Sequence, residues 1–162
     1  MLSLVPVVSV NLLAALAVAR YDSAPSARIP APVTAPTALL ATASRYLGTR
    51  YQLGGARPGA FDCSGFVRYV FARNGIELPR TAHEQAETGV AIVVGLDSLR
   101  TGDLLFFRTN RGRASHVAMY VGNGRIIHAS AGSRRVRYDD LVSPRGRWFI
   151  EHLSGVRRVI AG

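Results

Sequence analysis

The feature that most constrains the fold of this 162-residue chain is a single change of sequence pattern near Val90. Before that point, apolar residues recur at helical spacing in segments 39–48 and 63–74, and Thr81 with Glu84 forms a capping box for a third, short helix. After it, the chain consists of strand-like segments separated by glycine, asparagine and arginine, at residues 104–108, 116–121, 125–130 and 149–160. We therefore predict an α+β domain, with N-terminal helices packed on a C-terminal antiparallel β-sheet.

The first 38 residues differ from the rest of the chain. Residues 2–19 carry no charge and end in the small residues Ala17-Val18-Ala19, which is typical of an export signal with its cleavage site. The same stretch is also long enough for an uncleaved membrane anchor, so residues 1–19 are assigned to one or the other. Residues 20–38 are rich in alanine and proline and are interpreted as an extended linker. The folded domain is accordingly predicted to cover residues 39–162.

Composition limits the partners that this chain can take. Every basic residue is arginine, and the formal net charge is +10, which favours an anionic partner such as an envelope polymer. The arginines are scattered and no zinc-finger, homeodomain or RNA-recognition signature accompanies them, so no nucleic-acid partner is expected. The single cysteine excludes an intrachain disulfide and a cysteine-based zinc cluster. No metal or other cofactor is predicted.

The single cysteine, Cys63, lies in the motif F-D-C-S-G-F, at the predicted first turn of a helix. The unpaired N–H groups and the positive end of the helix dipole would lower the pKa of a thiol there, and could also hold an oxyanion. Asp62 is placed to cap this helix. The alternative is that Cys63 is a small, buried apolar residue, as many lone cysteines are.

Two of the four histidines flank a predicted turn and are candidates for the general base that a nucleophilic thiol needs. A two-residue loop, Asn123-Gly124, would place His116 and His128 on opposite faces of the two strands. A three-residue loop, Gly122-Asn123-Gly124, would place both imidazoles on one face, as diagonal neighbours. Catalysis requires the second arrangement, in which His116 acts as the base for Cys63 and His128 orients it.

Taken together, the motifs resemble the NlpC/P60 family of bacterial cell-wall cysteine peptidases, a papain-like group. The matching segments are Y-L-G-T-R-Y (46–51), G-G (54–55), F-D-C-S-G-F (61–66), G-I-E-L-P-R-T (75–81), T-G-D-L-L-F-F (101–107), H-V-A-M-Y-V-G-N-G (116–124) and I-I-H-A (126–129). They span almost all of residues 39–162, in order and at family-like spacing. The resemblance implies the papain-like NlpC/P60 fold, with Cys63 as nucleophile, His116 as general base and His128 as the third member of a triad.

The resemblance also implies a substrate and a location. Tyr51, Asp62 and Ser64 would line the site near a bound peptide. The reaction would be hydrolysis of peptidoglycan stem peptides, at the bond between γ-linked D-glutamate and the diamino acid that follows it. Two alternatives remain: an amidase or acyltransferase on the same thiol scaffold, and a non-catalytic cell-wall binding domain. The protein would be exported to the cell envelope, periplasmic or extracellular, with residues 1–19 as a membrane contact if they are retained; a monomer is the default expectation.

Overall fold

A computed structural model describes residues 36–93, 95–108 and 114–160 of the chain. All of these belong to one compact unit, residues 32–162. The predicted export segment and most of the predicted linker lie outside the described residues. Among the residues described, no helix is both long enough and apolar enough to cross a membrane.

In the residues described, the fold combines four short α-helices with a six-stranded antiparallel sheet. The helices are α1 (Pro36–Ser44), α2 (Cys63–Ala72), α3 (Ala82–Gln85) and α4 (Arg147–His152). The strands are β1 (Ala56–Arg57), β2 (Ala60–Phe61), β3 (Val90–Ala91), β4 (Leu104–Phe107), β5 (His116–Gly122), β6 (Arg125–Ser130), β7 (Arg135–Asp140) and β8 (Leu153–Arg158). The sheet has the strand order β3-β8-β4-β5-β6-β7, and β1 and β2 form a separate hairpin. The predicted α+β class is confirmed.

The sheet is covered on both faces, and α2 packs on one of them. The apolar residues Phe66, Val67, Val70 and Phe71 occupy one side of α2 and are at most 1% exposed. They belong to the same cluster as β-strand residues such as Val117 and Ile127. A second cluster lies on the opposite face, where α4 contributes a buried phenylalanine. Helix α2 is thereby fixed against β5 and β6, the strands that carry the two candidate histidines.

Three elements differ from the prediction. Residues 149–152 belong to α4 rather than to a strand, because Phe149 packs into the second cluster from a helical turn. The arginine-rich segment after residue 130, which is not among the predicted strands, is the edge strand β7, and it pairs with β6 along its whole length. Helix α1 begins at Pro36, inside the predicted linker, since proline is well accommodated in the first turn of a helix.

Candidate active site

The N-terminus of α2 is held by a polar network around the buried side chain of Asp62. Its carboxylate accepts hydrogen bonds from the N–H of Gly65 at 2.7 Å and from the N–H of Gly54 at 2.9 Å, and the first of these caps the helix. Arg80 donates to the same carboxylate at 2.6 and 3.1 Å, and to the Ser64 hydroxyl at 3.1 Å. Burial raises the pKa of Asp62, but the hydrogen bonds from Arg80 and the N–H groups outweigh it and hold the pKa below its usual range.

Cys63 is the first residue of α2 and its side chain is half-buried. The backbone N–H groups of Val117, Ser64 and Cys63 itself are placed to stabilise negative charge on the sulfur. Burial nevertheless raises the pKa of the Cys63 thiol, and the charge of Asp62 acts in the same direction. The predicted lowering of this pKa is therefore wrong for the resting site, because the loss of hydration outweighs the contribution of the N–H groups.

Strands β5 and β6 are joined by a two-residue turn, Asn123-Gly124, with φ angles of +53° and +69°. The predicted three-residue loop is therefore wrong. A β-bulge between Tyr120 and Gly122 shifts the register within β5 instead, and it places Met119 opposite Ile127. This is the register that the longer loop would have produced, so the histidines lie on one face by a different route.

The two histidines meet where the β5–β6 ladder has ended. In the described part of the sheet, its last pair is Met119 with Ile127. Beyond that pair, Nε2 of His116 lies 2.7 Å from Nδ1 of His128. The N–H of Val117, the residue after His116, is the group that contacts the Cys63 sulfur. The opening between the two strands is thus the place where the helix thiol and the imidazole pair come together.

The chain of hydrogen bonds continues from His128 to a carboxylate. Nε2 of His128 lies 2.9 Å from Oδ2 of Asp139 in β7, and Oδ1 of Asp139 pairs with Arg137 at 2.9 Å. Both His128 and Asp139 are buried. Burial raises the pKa of Asp139, but the hydrogen bond from His128 and the charges of Arg137 and Arg145 lower it overall. Asp139 is therefore an ionised acceptor at the end of the chain.

This order of partners assigns the tautomers of both rings. An ionised carboxylate only accepts hydrogen bonds, so Nε2 of His128 carries a hydrogen and its Nδ1 has a lone pair. That lone pair accepts from Nε2–H of His116, which leaves Nδ1 of His116 unprotonated. Burial lowers the pKa of His116 to about 3, and His128 contributes in the same direction against the opposing effect of Asp139. At neutral pH, His116 is therefore a neutral imidazole with one free lone pair.

Aromatic rings enclose the imidazole pair. The ring of Phe107 is centred 5.8 Å from His116, and the ring of Phe149 stands edge-on 5.4 Å from His128. Trp148 packs against both phenylalanines. These contacts restrict rotation of the imidazoles and keep water from their faces, which strengthens the polar interactions between them.

A cleft of about 580 Å³ lies over this group of residues. Its lining includes Cys63, His116, His128, Asp139 and Tyr51. Burial raises the pKa of Tyr51, with further contributions from Cys63 and Asp62, so the phenol stays protonated. Asp62 and Ser64 are not among the lining residues; they are only 5% exposed, beneath the start of α2. In the described part of the chain, no group of three or more His, Cys, Asp or Glu residues is arranged to hold a metal ion.

Two residues of this site were missed by reasoning from the sequence. Asp139 falls outside the predicted strands, and only the β6–β7 pairing brings it next to His128. Arg80 lies in a recognised motif, but nothing local to that motif indicates Asp62, 18 positions earlier, as its partner. The available signal for Asp139 was the alternation of Val136 and Tyr138 with charged residues, which is typical of a strand.

Comparison with known proteins identifies the class of this fold and site. The sequence model of the NlpC/P60 family matches residues 48–158. A Listeria innocua protein named "Probable endopeptidase p60" is 45% identical over 122 residues, which cover 75% of this chain and 24% of that protein. A Bacillus cereus protein named gamma-D-glutamyl-L-lysine dipeptidyl-peptidase is 37% identical over 131 residues, 80% of this chain and 38% of the relative.

A solved structure agrees with these sequence matches. The crystal structure of an NlpC/P60 family protein from Bacillus cereus matches with a TM-score of 0.72 and 36% identity, over 80% of this chain and 42% of that one. The present chain belongs to the NlpC/P60 family. It spans between about a quarter and two-fifths of the length of these relatives.

Proposed function

We propose that this chain is a cysteine peptidase that hydrolyses peptidoglycan stem peptides. The observation that carries the proposal is that Cys63 shares one open cleft with His116, His128 and Asp139, and that the last three are joined by hydrogen bonds. Such an arrangement gives a nucleophile, a base with a free lone pair and a group that orients the base. The names of the two relatives, an endopeptidase and a gamma-D-glutamyl-L-lysine dipeptidyl-peptidase, support peptide hydrolysis as its reaction.

Proton transfer in this mechanism starts from a neutral pair. The raised pKa of Cys63 and the lowered pKa of His116 mean that neither group is charged before substrate arrives. As the sulfur attacks the peptide carbonyl, its proton passes to Nδ1 of His116. The imidazolium is stabilised through His128 by the carboxylate of Asp139. The N–H groups around Cys63 are available for the oxyanion that forms on the former carbonyl oxygen.

The second half of the reaction returns the site to its starting state. The imidazolium gives its proton to the departing amine, the C–N bond breaks, and a thioester with Cys63 remains. Water then loses a proton to His116 and attacks the thioester, which releases the acid and restores the thiol. The reacting groups in these steps are Cys63, His116 and a water molecule.

The bond proposed for cleavage joins γ-linked D-glutamate to the diamino acid that follows it. The name of the Bacillus cereus relative, a gamma-D-glutamyl-L-lysine dipeptidyl-peptidase, supports this choice. Tyr51 is assigned a substrate contact because it lines the cleft beside Cys63. Asp62 and Ser64 are assigned to position the start of α2, since Arg80 and backbone N–H groups already occupy the carboxylate.

The location that fits this substrate is the cell envelope. The arginine-rich surface is proposed to contact anionic envelope polymers, and residues 1–19 to act as an export signal or anchor.

The test is digestion of purified muropeptides by the wild-type chain, Cys63→Ala and Cys63→Ser, followed by mass spectrometry of the products. We expect product masses for the γ-D-glutamyl bond with the wild-type protein and none with either variant. Thermal unfolding of all three proteins controls for folding. Cleavage by Cys63→Ala at the wild-type rate would rule out the mechanism, and an inactive wild-type protein that binds muropeptides would indicate a non-catalytic wall binder. Transfer to acyl lipids instead of hydrolysis would indicate the acyltransferase alternative.

A further inference from the structure

A second groove adjoins the catalytic cleft at Tyr51. It has a volume of about 540 Å³ and is lined by Arg50, Tyr51, Gln52, Leu53, Ala131 and Arg134. Tyr51 and Ala131 also line the cleft that holds Cys63. A peptide bound at Cys63 that continues past Tyr51 therefore enters this groove directly.

Backbone hydrogen bonds fix the two arginines on either side of Tyr51. The N–H of Tyr51 donates to the carbonyl of Arg134 at 2.9 Å, and the N–H of Val136 donates to the carbonyl of Thr49 at 2.8 Å. Arg50 itself forms an antiparallel bridge with the residue after Arg134. The segments that carry Arg50 and Arg134 are thus held side by side, and the separation of their backbones is set by the fold.

The groove has positive charge and no compensating carboxylate. None of its lining residues is acidic, and among the described residues neither Arg50 nor Arg134 forms an ion pair. In contrast, Arg80 and Arg158 are each paired with a buried aspartate. Arg50 donates to Oε1 of Gln52 at 2.8 Å, which orients the guanidinium without neutralising it. Two guanidinium groups in a concave site without a counter-charge favour an anionic ligand.

The backbone at Arg134 supports a role for its side chain. Its φ angle is +57°, in the left-handed region where glycine or asparagine is ordinarily preferred. This turn, from Ala131 to Arg134, follows β6 and closes with a hydrogen bond from the N–H of Arg134 to the carbonyl of Ala131. A large side chain in this unfavourable conformation, next to a catalytic cleft, is the kind of local strain that clusters at ligand sites.

We infer that Arg50 and Arg134 form a carboxylate-binding subsite that selects stem peptides with a free carboxylate next to the scissile bond. This inference rests on the proposed peptidase function. A guanidinium binds a carboxylate through paired, charge-assisted hydrogen bonds, and it loses them when the carboxylate is converted to an amide. Amidated peptides are therefore bound more weakly. Because the subsite binds a group that does not react, amidation of the carboxylate should mainly raise KM and leave kcat little changed.

The experiment compares three synthetic peptides: one with free carboxylates, one amidated at the glutamate α-carboxylate, and one amidated at the diamino acid. They are digested by the wild-type chain, by Arg50→Gln, by Arg134→Asn and by the double variant. Asparagine tolerates a positive φ, so Arg134→Asn removes the charge and preserves the turn. Arg45→Gln is the matched control, because Arg45 is exposed and lines neither the groove nor the cleft.

We expect the wild-type chain to prefer the fully free peptide by about tenfold in kcat/KM over one of the amidated peptides, mainly through KM. The peptide that is discriminated against identifies which carboxylate is bound. Each single arginine variant should reduce the preference, the double variant should abolish it, and Arg45→Gln should keep it. Equal rates on all three peptides by the wild-type chain, or an unchanged preference in the double variant, would overturn the subsite alone. Failure of the wild-type chain to cleave any peptide would overturn the proposed function as well.

Discussion

At the scale of single residues, the direction of the hydrogen bonds decides what the site can do. His116 can take a proton from a thiol only if its Nδ1 is unprotonated, and nothing in its own position ensures this. The ionised carboxylate of Asp139 does so from two hydrogen bonds away, by fixing the tautomer of His128 and then that of His116. Asp139 is therefore a positioning residue, and it is as important to this site as His128.

Asp139→Asn tests this assignment. An amide can donate to Nε2 of His128, which would reverse both tautomers and place a hydrogen on the nitrogen of His116 that must accept one. We expect kcat/KM to fall by about 10² to 10⁴, by analogy with tautomer reversal in serine peptidases. The measurement is kcat/KM as a function of pH for each protein.

Asp140→Asn is the control for this change, because Asp140 is the next carboxylate along β7 and is exposed; its carboxylate accepts a hydrogen bond from the N–H of Val142, not from a histidine. It should retain wild-type activity. If Asp139→Asn also retained wild-type activity, the chain of hydrogen bonds from Asp139 through His128 to His116 would be unnecessary for catalysis.

Arg134→Gly tests the backbone strain independently of any substrate. Glycine adopts a φ of +57° without steric cost, so the variant should be more stable than the wild-type chain by about 0.5–1 kcal/mol in urea unfolding. Arg45→Gly, at a position without positive φ, should instead lose stability. A decrease in stability for Arg134→Gly would mean that the arginine side chain itself stabilises the turn.

At the scale of elements, the sequence predicts those parts whose signals are local. The N-cap and apolar face of α2, the capping box of α3 and the strands β5 and β6 all have such signals, and the structure contains each of them. Helix α4 has no such signal, and edge strand β7 has only the alternation of Val136 and Tyr138 with charged residues. Strand β7 is rich in charge and is stabilised by pairing with β6, and the Trp148-Phe149 segment has strand-forming residues that tertiary packing holds in a helix.

The residues of the candidate site can also be divided into those with a local sequence signal and those without one. Cys63 and the two histidines could be predicted because their positions follow from the start of a helix and the register of a hairpin. Asp139 could not, because its contact with His128 depends on β7. The raised pKa of the Cys63 thiol could not be predicted either, because its main cause is burial, which is a property of the whole fold.

Gly65→Ala tests the junction between α2 and the β1–β2 hairpin. A methyl group at Gly65 would collide with the backbone carbonyl of Gly55, which cannot move without disturbing the hairpin. We expect a loss of roughly 1–3 kcal/mol in the free energy of unfolding, together with reduced activity, since Cys63 lies in the same helical turn. Gly155→Ala is the control, because a methyl group there meets no atom within 4 Å. Wild-type stability of Gly65→Ala would show that the hairpin is free to shift.

At the scale of the whole molecule, three buried aspartates each form an ion pair with an arginine. Asp62 pairs with Arg80, Asp139 with Arg137, and Asp103 with Arg158 at 2.7 Å. The last pair joins the end of β8 to the turn before β4. In the strand order of the sheet, β8 lies near the edge opposite β7. Removing one partner of such a pair leaves a buried charge without compensation, which lowers the stability of the folded chain.

The stability of the folded chain should therefore decrease in acid, and the first group to cause this is His116. Its pKa falls from an ordinary value of about 6.5 to about 3 on folding, so between these values the unfolded chain binds a proton that the folded chain does not. Stability is then fully present above about pH 6.5 and is lost as the pH falls toward 3. The lowered pKa values of Asp62 and Asp139 act in the same direction, but only below about pH 4.

Urea unfolding at pH 7 and pH 5 isolates the histidine from the carboxylates. For a shift of this size, the free energy of unfolding should decrease by about 2 kcal/mol between the two pH values. His116→Gln removes the titrating group and should abolish most of this decrease. The control variant His83→Gln, in helix α3, should show the same decrease as the wild-type chain. The same decrease in wild-type and His116→Gln proteins would show that His116 is not held neutral by the fold, and the mechanism would then have to start from a charged imidazole.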